Sequence, residues 1–183
     1  MFNIDEIVQG CKKRNARAQK QFYNMYYKQV FNCCVRILSN RMDAEDCMQE
    51  TFMKAFEKID AIEDAPPEAW VKRIAINTSI NRLKKNCINF VDLDHPAVVY
   101  NDEDEDFEEG STPAEEMVER IRVRMKELPD KYRVILSLYL FEGYDHGEIA
   151  EILDLKETTV RSQFIRGKQK LIELVTKNDK LCI

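Results

Sequence analysis

A chain of 183 residues with 28 Lys and Arg against 33 Asp and Glu carries a formal net charge of −5, and 44% of its residues are apolar, which excludes both a highly charged disordered chain and an oily membrane protein. Only 5 Gly and 5 Pro, the lack of long alternating runs and the frequent three-and-four spacing of apolar side chains point to an all-α fold. There is no signal peptide, no apolar run long enough to span a bilayer and no C-x-x-C pair among the six cysteines, so the chain is expected in the cytoplasm with reduced, packed thiols and no metal.

The first predicted helix repeats Ile4, Ile7, Val8 and Cys11. A longer stripe of Phe22, Tyr23, Tyr26, Tyr27, Val30, Phe31, Cys34 and Val35 follows and ends near Ser39-Asn40, with the aromatics expected in a core. The next helix separates its residues cleanly. Ala44, Met48, Phe52 and Ala55 share one side, and Asp46, Gln49, Glu50 and Lys54 the other, so the first side packs and the second faces outward. A loop over residues 60–68 leads into Trp70-Val71-Lys72-Arg73-Ile74-Ala75-Ile76-Asn77-Thr78 and Asn81-Arg82-Leu83-Lys84-Lys85. Vicinal Cys33 and Cys34 read as buried small hydrophobes in preference to a redox pair.

Charge then divides the chain. Residues 1–85 hold 15 basic and 11 acidic side chains, residues 86–116 none and 11, and residues 117–183 hold 13 and 11. Asp102-Glu103-Asp104-Glu105-Asp106 and Glu108-Glu109 repel one another and lack apolar partners, so residues 87–112 read as an acidic flexible linker between two small helical domains, 1–86 and 113–183. The overall acidity therefore leaves both flanking parts free to meet nucleic acid. Thr112-Pro113-Ala114-Glu115 restarts order, as threonine followed by a first-turn proline and a glutamate three residues on.

Leu128-Pro129 opens a further helix with Tyr132, Ile135, Leu136, Tyr139 and Leu140 on one apolar face, stopped by Gly143. Asp145 and Glu148 form the reciprocal cap of a short helix containing Ile149, Ala150, Ile152 and Leu153. After the turn at 154–157 a last helix starts near Thr158 and turns Val160, Phe164, Gly167, Leu171 and Leu174 inward. Arg161, Ser162, Ile165, Arg166 and Gln169 are left outward. That face suits a DNA major groove, where arginine forks to guanine, Ser and Gln adapt, and Ile touches a thymine methyl. Lys156, Lys168 and Lys170 flank it as phosphate contacts.

Leu128-Pro129, Arg133, Glu142-Gly143-Tyr144-Asp145, Glu148-Ile149-Ala150-Glu151-Ile152-Leu153 and Thr159-Val160-Arg161-Ser162, then Arg166 and Lys170-Leu171, resemble region 4 of the sigma-70 family, in its extracytoplasmic-function group. The stretch Asp43-Ala44-Glu45-Asp46-Cys47-Met48-Gln49-Glu50-Thr51-Phe52-Met53-Lys54-Ala55-Phe56 resembles region 2.2, and the residues around Trp70 to Lys85 resemble regions 2.3 and 2.4. The resemblance implies an RNA polymerase sigma factor with no catalytic activity, no cofactor and no small-molecule substrate. By that resemblance Asp43, Asp46, Gln49 and Glu50 dock on the β′ clamp helices of core polymerase. Lys156, Thr158, Thr159, Arg161, Ser162, Gln163, Ile165, Arg166, Lys168 and Lys170 meet the −35 duplex. Asp60, Ile62, Trp70, Lys72, Arg73, Asn77, Asn81, Arg82, Lys84 and Lys85 melt and hold the −10 strand, although a sole tryptophan serves as readily as a core anchor. The loop before Trp70 corresponds to the segment that captures a flipped-out −10 base. An anti-sigma factor is implied as a further partner.

This sequence departs from the family pattern in several places. Ala65-Pro66-Pro67-Glu68-Ala69 stands where a Ser, Phe and Thr-rich loop is usual, implying an unfamiliar base preference. Lys156 occupies the place of a capping Ser, leaving Thr158 to cap the recognition helix. Asp154 replaces a common glycine, which a left-handed backbone tolerates in Asp. Gly167 costs about 1 kcal/mol against alanine inside a helix, so close packing should demand it. Two other readings stay open: a sigma mimic that binds anti-sigma factors without DNA, and a dimeric helix-turn-helix regulator acting without polymerase.

Overall fold

The computed structural model describes residues 3–62, 65–85 and 112–177. These form helices α1 (Ile4–Lys12), α2 (Ala16–Leu38), α3 (Arg41–Glu57), a 3₁₀ turn (Ile59–Ala61), α4 (Pro67–Lys85), α5 (Pro113–Lys126), α6 (Asp130–Leu140), α7 (His146–Leu153) and α8 (Glu157–Lys177), with no strand among the described residues. The fold is all-α. The chain divides into two compact units, Met1–Asn86 and Cys87–Ile183. Apart from Thr112, the segment read as an acidic linker lies outside the described residues, as do Cys87, His95 and Cys182.

In the first unit α2, α3 and α4 pack on one another and α1 packs on α2. Three asparagines start its first three helices: the side chains of Asn3, Asn15 and Asn40 each accept a backbone N–H of the following turn. Phe22, Val30, Cys34, Ile37, Ala44, Cys47, Ala55, Val71 and Ala75 make a core with essentially no exposure. Small residues set the spacing between helices. Gly10 of α1 sits so close to α2 that a Cβ there would lie 2.5 Å from that of Ala18.

In the second unit α8 packs against α5, α6 and α7. Residues 132–138 of α6 are buried on every side, which makes that helix the centre of the unit. Tyr139 and Leu140, expected on its apolar face, are instead 38% and 50% exposed, because the enclosed part ends at Leu138. Arg133 is enclosed as well. Its guanidinium donates to the Leu128 carbonyl at 3.2 Å and pairs with Asp130, tying the corner between α5 and α6. Burial pulls this guanidinium below its ordinary value, with Asp130 opposing. Thr112 and Glu115 form the expected reciprocal cap of α5.

Candidate nucleic-acid interfaces

The helix-turn-helix is assembled by local rules. The Glu148 N–H donates to the Asp145 carboxylate at 2.8 Å while the Glu148 carboxylate accepts the Asp145 N–H at 2.9 Å, so α7 begins with two backbone donors satisfied. Gly143 takes φ +78° in the loop before it. Asp154 closes α7 in the left-handed region, at φ 59°, and the Leu155 N–H returns to the Ala150 carbonyl at 2.9 Å. Helix α8 starts at Glu157, and the Lys156 carbonyl accepts the Thr159 and Val160 N–H groups. Thr158 thus lies inside the first turn and is not the cap that the sequence suggested.

Val160, Gly167 and Leu171 face inward on α8, and Arg161, Ser162, Ile165, Arg166, Lys168 and Gln169 face outward, Ile165 with 56% of its surface exposed. A Cβ at Gly167 would stand 3.0 Å from that of Tyr132 and 3.2 Å from Leu136 Cδ1, so the close α6–α8 crossing favours glycine, and a methyl group would fit only if those side chains gave way by a few tenths of an ångström. Gln163 does not join the outward face. It is 6% exposed because it shares the inward side with Val160 and Gly167. Arg161 forks onto Glu157, with Nε at 3.0 Å and Nη2 at 2.6 Å, on an exposed surface where a stronger ligand can displace the carboxylate. Lys170 is half-buried with its ammonium 5.2 Å from the Tyr132 ring centre, and Thr159 is also half-buried. His146 is no bare surface group: its ring stacks on Tyr139 and meets Phe164 edge-on at 4.9 Å.

A second polar stripe runs along α4, where Arg73, Asn77, Asn81, Lys84 and Lys85 are exposed at spacings of four, four, three and one. Trp70 is half-buried, and half-buried Lys72 pairs with Glu68 at 3.4 Å. Arg82 turns away from this stripe. It reaches across to α3, 2.8 Å from Asp43 and 3.0 Å from Asp46, so it joins two helices and stands engaged with two of the carboxylates expected to meet polymerase. Asp60 is exposed and accepts from Arg14 at 3.1 Å. Ile62 is 4% exposed, so its side chain belongs to the core and only its backbone borders the loop.

On α3, Asp46, Gln49 and Glu50 are exposed and Asp43 is half-buried under Arg82. Glu50 also pairs with Lys54 at 2.7 Å. Met42 and Met53, 76% and 65% exposed, flank the acidic stripe with apolar surface that the sequence reading did not single out; their positions one turn outside Asp46 and Glu50 were the available signal. Behind the stripe, Cys47 Sγ lies 3.2 Å from Ser79 Oγ. A hydrogen bond to Cys47 together with burial pushes the Cys34 thiol well up, so it is a packed, protonated group. Cys11, Cys33, Cys34 and Cys47 are all buried. Among the described residues no group of three or more His, Cys, Asp or Glu is placed to hold a metal ion, and no helix is long and apolar enough to cross a membrane.

Comparison with known proteins follows the same division. The family model for Sigma-70 region 2 matches residues 22–87, and that for Sigma-70, region 4 matches residues 119–171. The ECF RNA polymerase sigma factor SigW of Bacillus subtilis is 28% identical over 177 residues, covering 92% of this chain and 94% of that protein. SigM of the same organism is 26% identical, covering 86% and 94%, and the RNA polymerase sigma-H factor of Pseudomonas aeruginosa is 28% identical, covering 91% and 90%. Two solved structures share the fold. The sigma factor RpoE of Bartonella quintana, in complex with the anti-sigma factor NepR, matches with a TM-score of 0.57 at 22% identity, covering 85% of this chain and 95% of that one. CnrH in complex with the cytosolic domain of CnrY matches with a TM-score of 0.54 at 20% identity, covering 94% and 97%.

Proposed function

The chain is an RNA polymerase sigma factor of the extracytoplasmic-function group of the sigma-70 family, and from that premise we propose how its residues divide the work of promoter-specific initiation. Residues 1–86 bind core polymerase and the −10 element; residues 113–183 bind the −35 element. The observation that carries this reading is the outward face of α8, where two arginines, a serine and an exposed isoleucine stand on a helix anchored by three others. Arg161 and Arg166 fork to guanine edges, Ile165 packs on a thymine methyl, and Lys156, Lys168 and the half-buried Lys170 take phosphates. Ser162, Thr158 and Thr159 hold the register of the helix on the backbone.

The α4 stripe acts on the other element. Arg73, Lys84 and Lys85 neutralise the backbone of a separated strand, Asn77 and Asn81 meet base edges, and Trp70 offers its free face to a base. Core polymerase docks on Asp46, Gln49 and Glu50. The chain itself performs no catalysis and acts in the cytoplasm, the nucleotide chemistry belonging to polymerase. An anti-sigma factor holds it silent, a reading supported by the complex of the structural relative RpoE with the anti-sigma factor NepR.

Charge reversal at Asp46 and Glu50 tests the assignment. The variant should bind core polymerase at least about tenfold more weakly, as expected for an interfacial charge pair turned repulsive, while keeping its affinity for a −35 duplex. An unchanged core affinity would remove those carboxylates from the interface.

A further inference from the structure

Helices α3 and α4 are joined by polar side chains as well as by their core. Cys47 Sγ lies 3.2 Å from Ser79 Oγ, and Lys54 Nζ donates to Thr78 Oγ1 at 3.4 Å. The Arg82 guanidinium reaches two carboxylates at once: Nε donates to Asp43 Oδ1 at 3.0 Å, Nη2 stands 2.8 Å from the same oxygen, and Nη2 also donates to Asp46 Oδ2 at 3.0 Å. Asp43 is itself fixed, since its N–H donates to the capping Asn40 side chain at 2.9 Å.

This arrangement sets Arg82 apart from the exposed stripe of α4. Two carboxylates beside one guanidinium leave the group with a net negative charge, which repels a phosphodiester. The Arg82 side chain is 29% exposed, whereas Asn77, Asn81, Lys84 and Lys85 are open to solvent. Ion pairs on such a surface add little to stability, so the consequence of this one is geometric. Asp43 and Asp46 stand three residues apart on one helix, where like charges repel, and the guanidinium between them holds both in place. Glu50, the next carboxylate of the α3 stripe, is held in the same way by Lys54 at 2.7 Å. Asp46 and Glu50 are nevertheless 56% and 49% exposed, so both are oriented by a cation and still accessible to a basic partner.

We propose that Arg82 is a positioning residue for the docking of core polymerase: it presents Asp46 in a fixed orientation to the partner's cations and makes no contact with the −10 strand. This rests on the reading of the α3 stripe as the docking face. Thr78 and Arg82 directly follow Asn77 and Asn81, so the helix that carries the strand-reading asparagines grips the docking face one residue after each of them. Docking thereby fixes the −10 stripe relative to polymerase.

Stopped-flow association and dissociation of the full chain with core polymerase test this. Arg82→Ala should speed dissociation about three- to tenfold, the effect of a side chain that must be ordered anew in the complex. It should not slow association, because losing a cation leaves the stripe more acidic toward a basic partner. Arg82→Lys, which keeps the charge and loses the fork, should fall between the two. In an Asp46→Ala background the effect of Arg82→Ala should shrink below about twofold. Helix α4 stays anchored in all these variants by Val71, Ala75, Ile76, Ile80 and Leu83. At saturating core polymerase, the salt dependence of binding to forked −10 DNA should be the same with Arg82→Ala as without it, whereas a lost single-strand phosphate contact lowers the slope by about 0.7. A slope lowered by that amount, or an effect on dissociation that persists undiminished without Asp46, overturns the proposal. If Asp46→Ala weakens core binding and Arg82→Ala does not, the proposal falls and the docking reading stands. If neither does, both fall.

Discussion

Gly10→Ala is a sharp test of how the first unit is held together. The added Cβ would lie 2.5 Å from the Cβ of Ala18, about 1 Å inside ordinary carbon contact. Its neighbour is fixed rigidly to the α2 backbone, so relief requires α1 itself to move. That movement would loosen Ile7, Val8 and Cys11, the residues through which α1 is buried. Alanine gains about 1 kcal/mol of helix propensity over glycine, and overpacking of this kind costs about 1–3 kcal/mol or more. Because the contact is so short, strain near the upper end of that range should win, leaving the unit up to about 2 kcal/mol less stable, at roughly 4–8 °C in Tm for each kcal/mol in a domain of this size. Trp70, the sole tryptophan, lies on α4 of the same unit, so urea unfolding followed by its fluorescence reports on that unit. The double variant Gly10→Ala with Ala18→Gly moves the methyl group from one helix to the other and should recover most of the loss, giving a coupling energy of about 1 kcal/mol or more. A Gly10→Ala protein as stable as the parent, with additive effects in the double variant, would refute the close crossing of α1 and α2.

In the second unit, Arg133→Ala should cost roughly 2–4 kcal/mol, because it strips the Leu128 carbonyl and Asp130 of a buried partner; thermal unfolding by circular dichroism measures it. Glu115 is held below its ordinary value of 4.5 by the Thr112 N–H and hydroxyl. A depressed carboxylate stabilises the fold above its unfolded pKa and stops doing so as the pH falls through the lower folded value. The α5 cap should therefore loosen on acidification below about pH 4.5, seen as lost protection of the Thr112 amide relative to its intrinsic exchange rate, and Glu115→Gln should abolish that dependence. Arg161→Ala and Arg166→Ala should each lower −35 affinity by about 1–3 kcal/mol and relax selectivity at one base pair. Lys168→Ala should instead weaken all duplexes alike and reduce the salt slope by about one, both effects readable from fluorescence anisotropy titrations at several salt concentrations.

What was legible in the sequence was mostly local. The reciprocal caps at Thr112 and Asp145, the left-handed Asp154 and the tight packing at Gly167 follow from rules spanning a few residues, and each is present. Errors arose where burial is decided by distant residues. Gln163 and Ile62 sit beside outward neighbours in sequence but are enclosed by other helices. Tyr139 and Leu140 continue a perfect apolar spacing past Leu138, the last fully enclosed residue of α6. Arg82 stands among strand-holding candidates, yet α3 places two carboxylates within its reach.

The most direct measurement is run-off transcription from a pool of genomic fragments, using core polymerase with and without this chain. New start sites preceded by a shared pair of elements, and lost when Arg161 and Arg166 are both replaced by alanine, are the predicted result. Start sites that persist unchanged in that variant, or no new starts from a chain that still binds core polymerase, would contradict the claim that the α8 face directs polymerase to promoters.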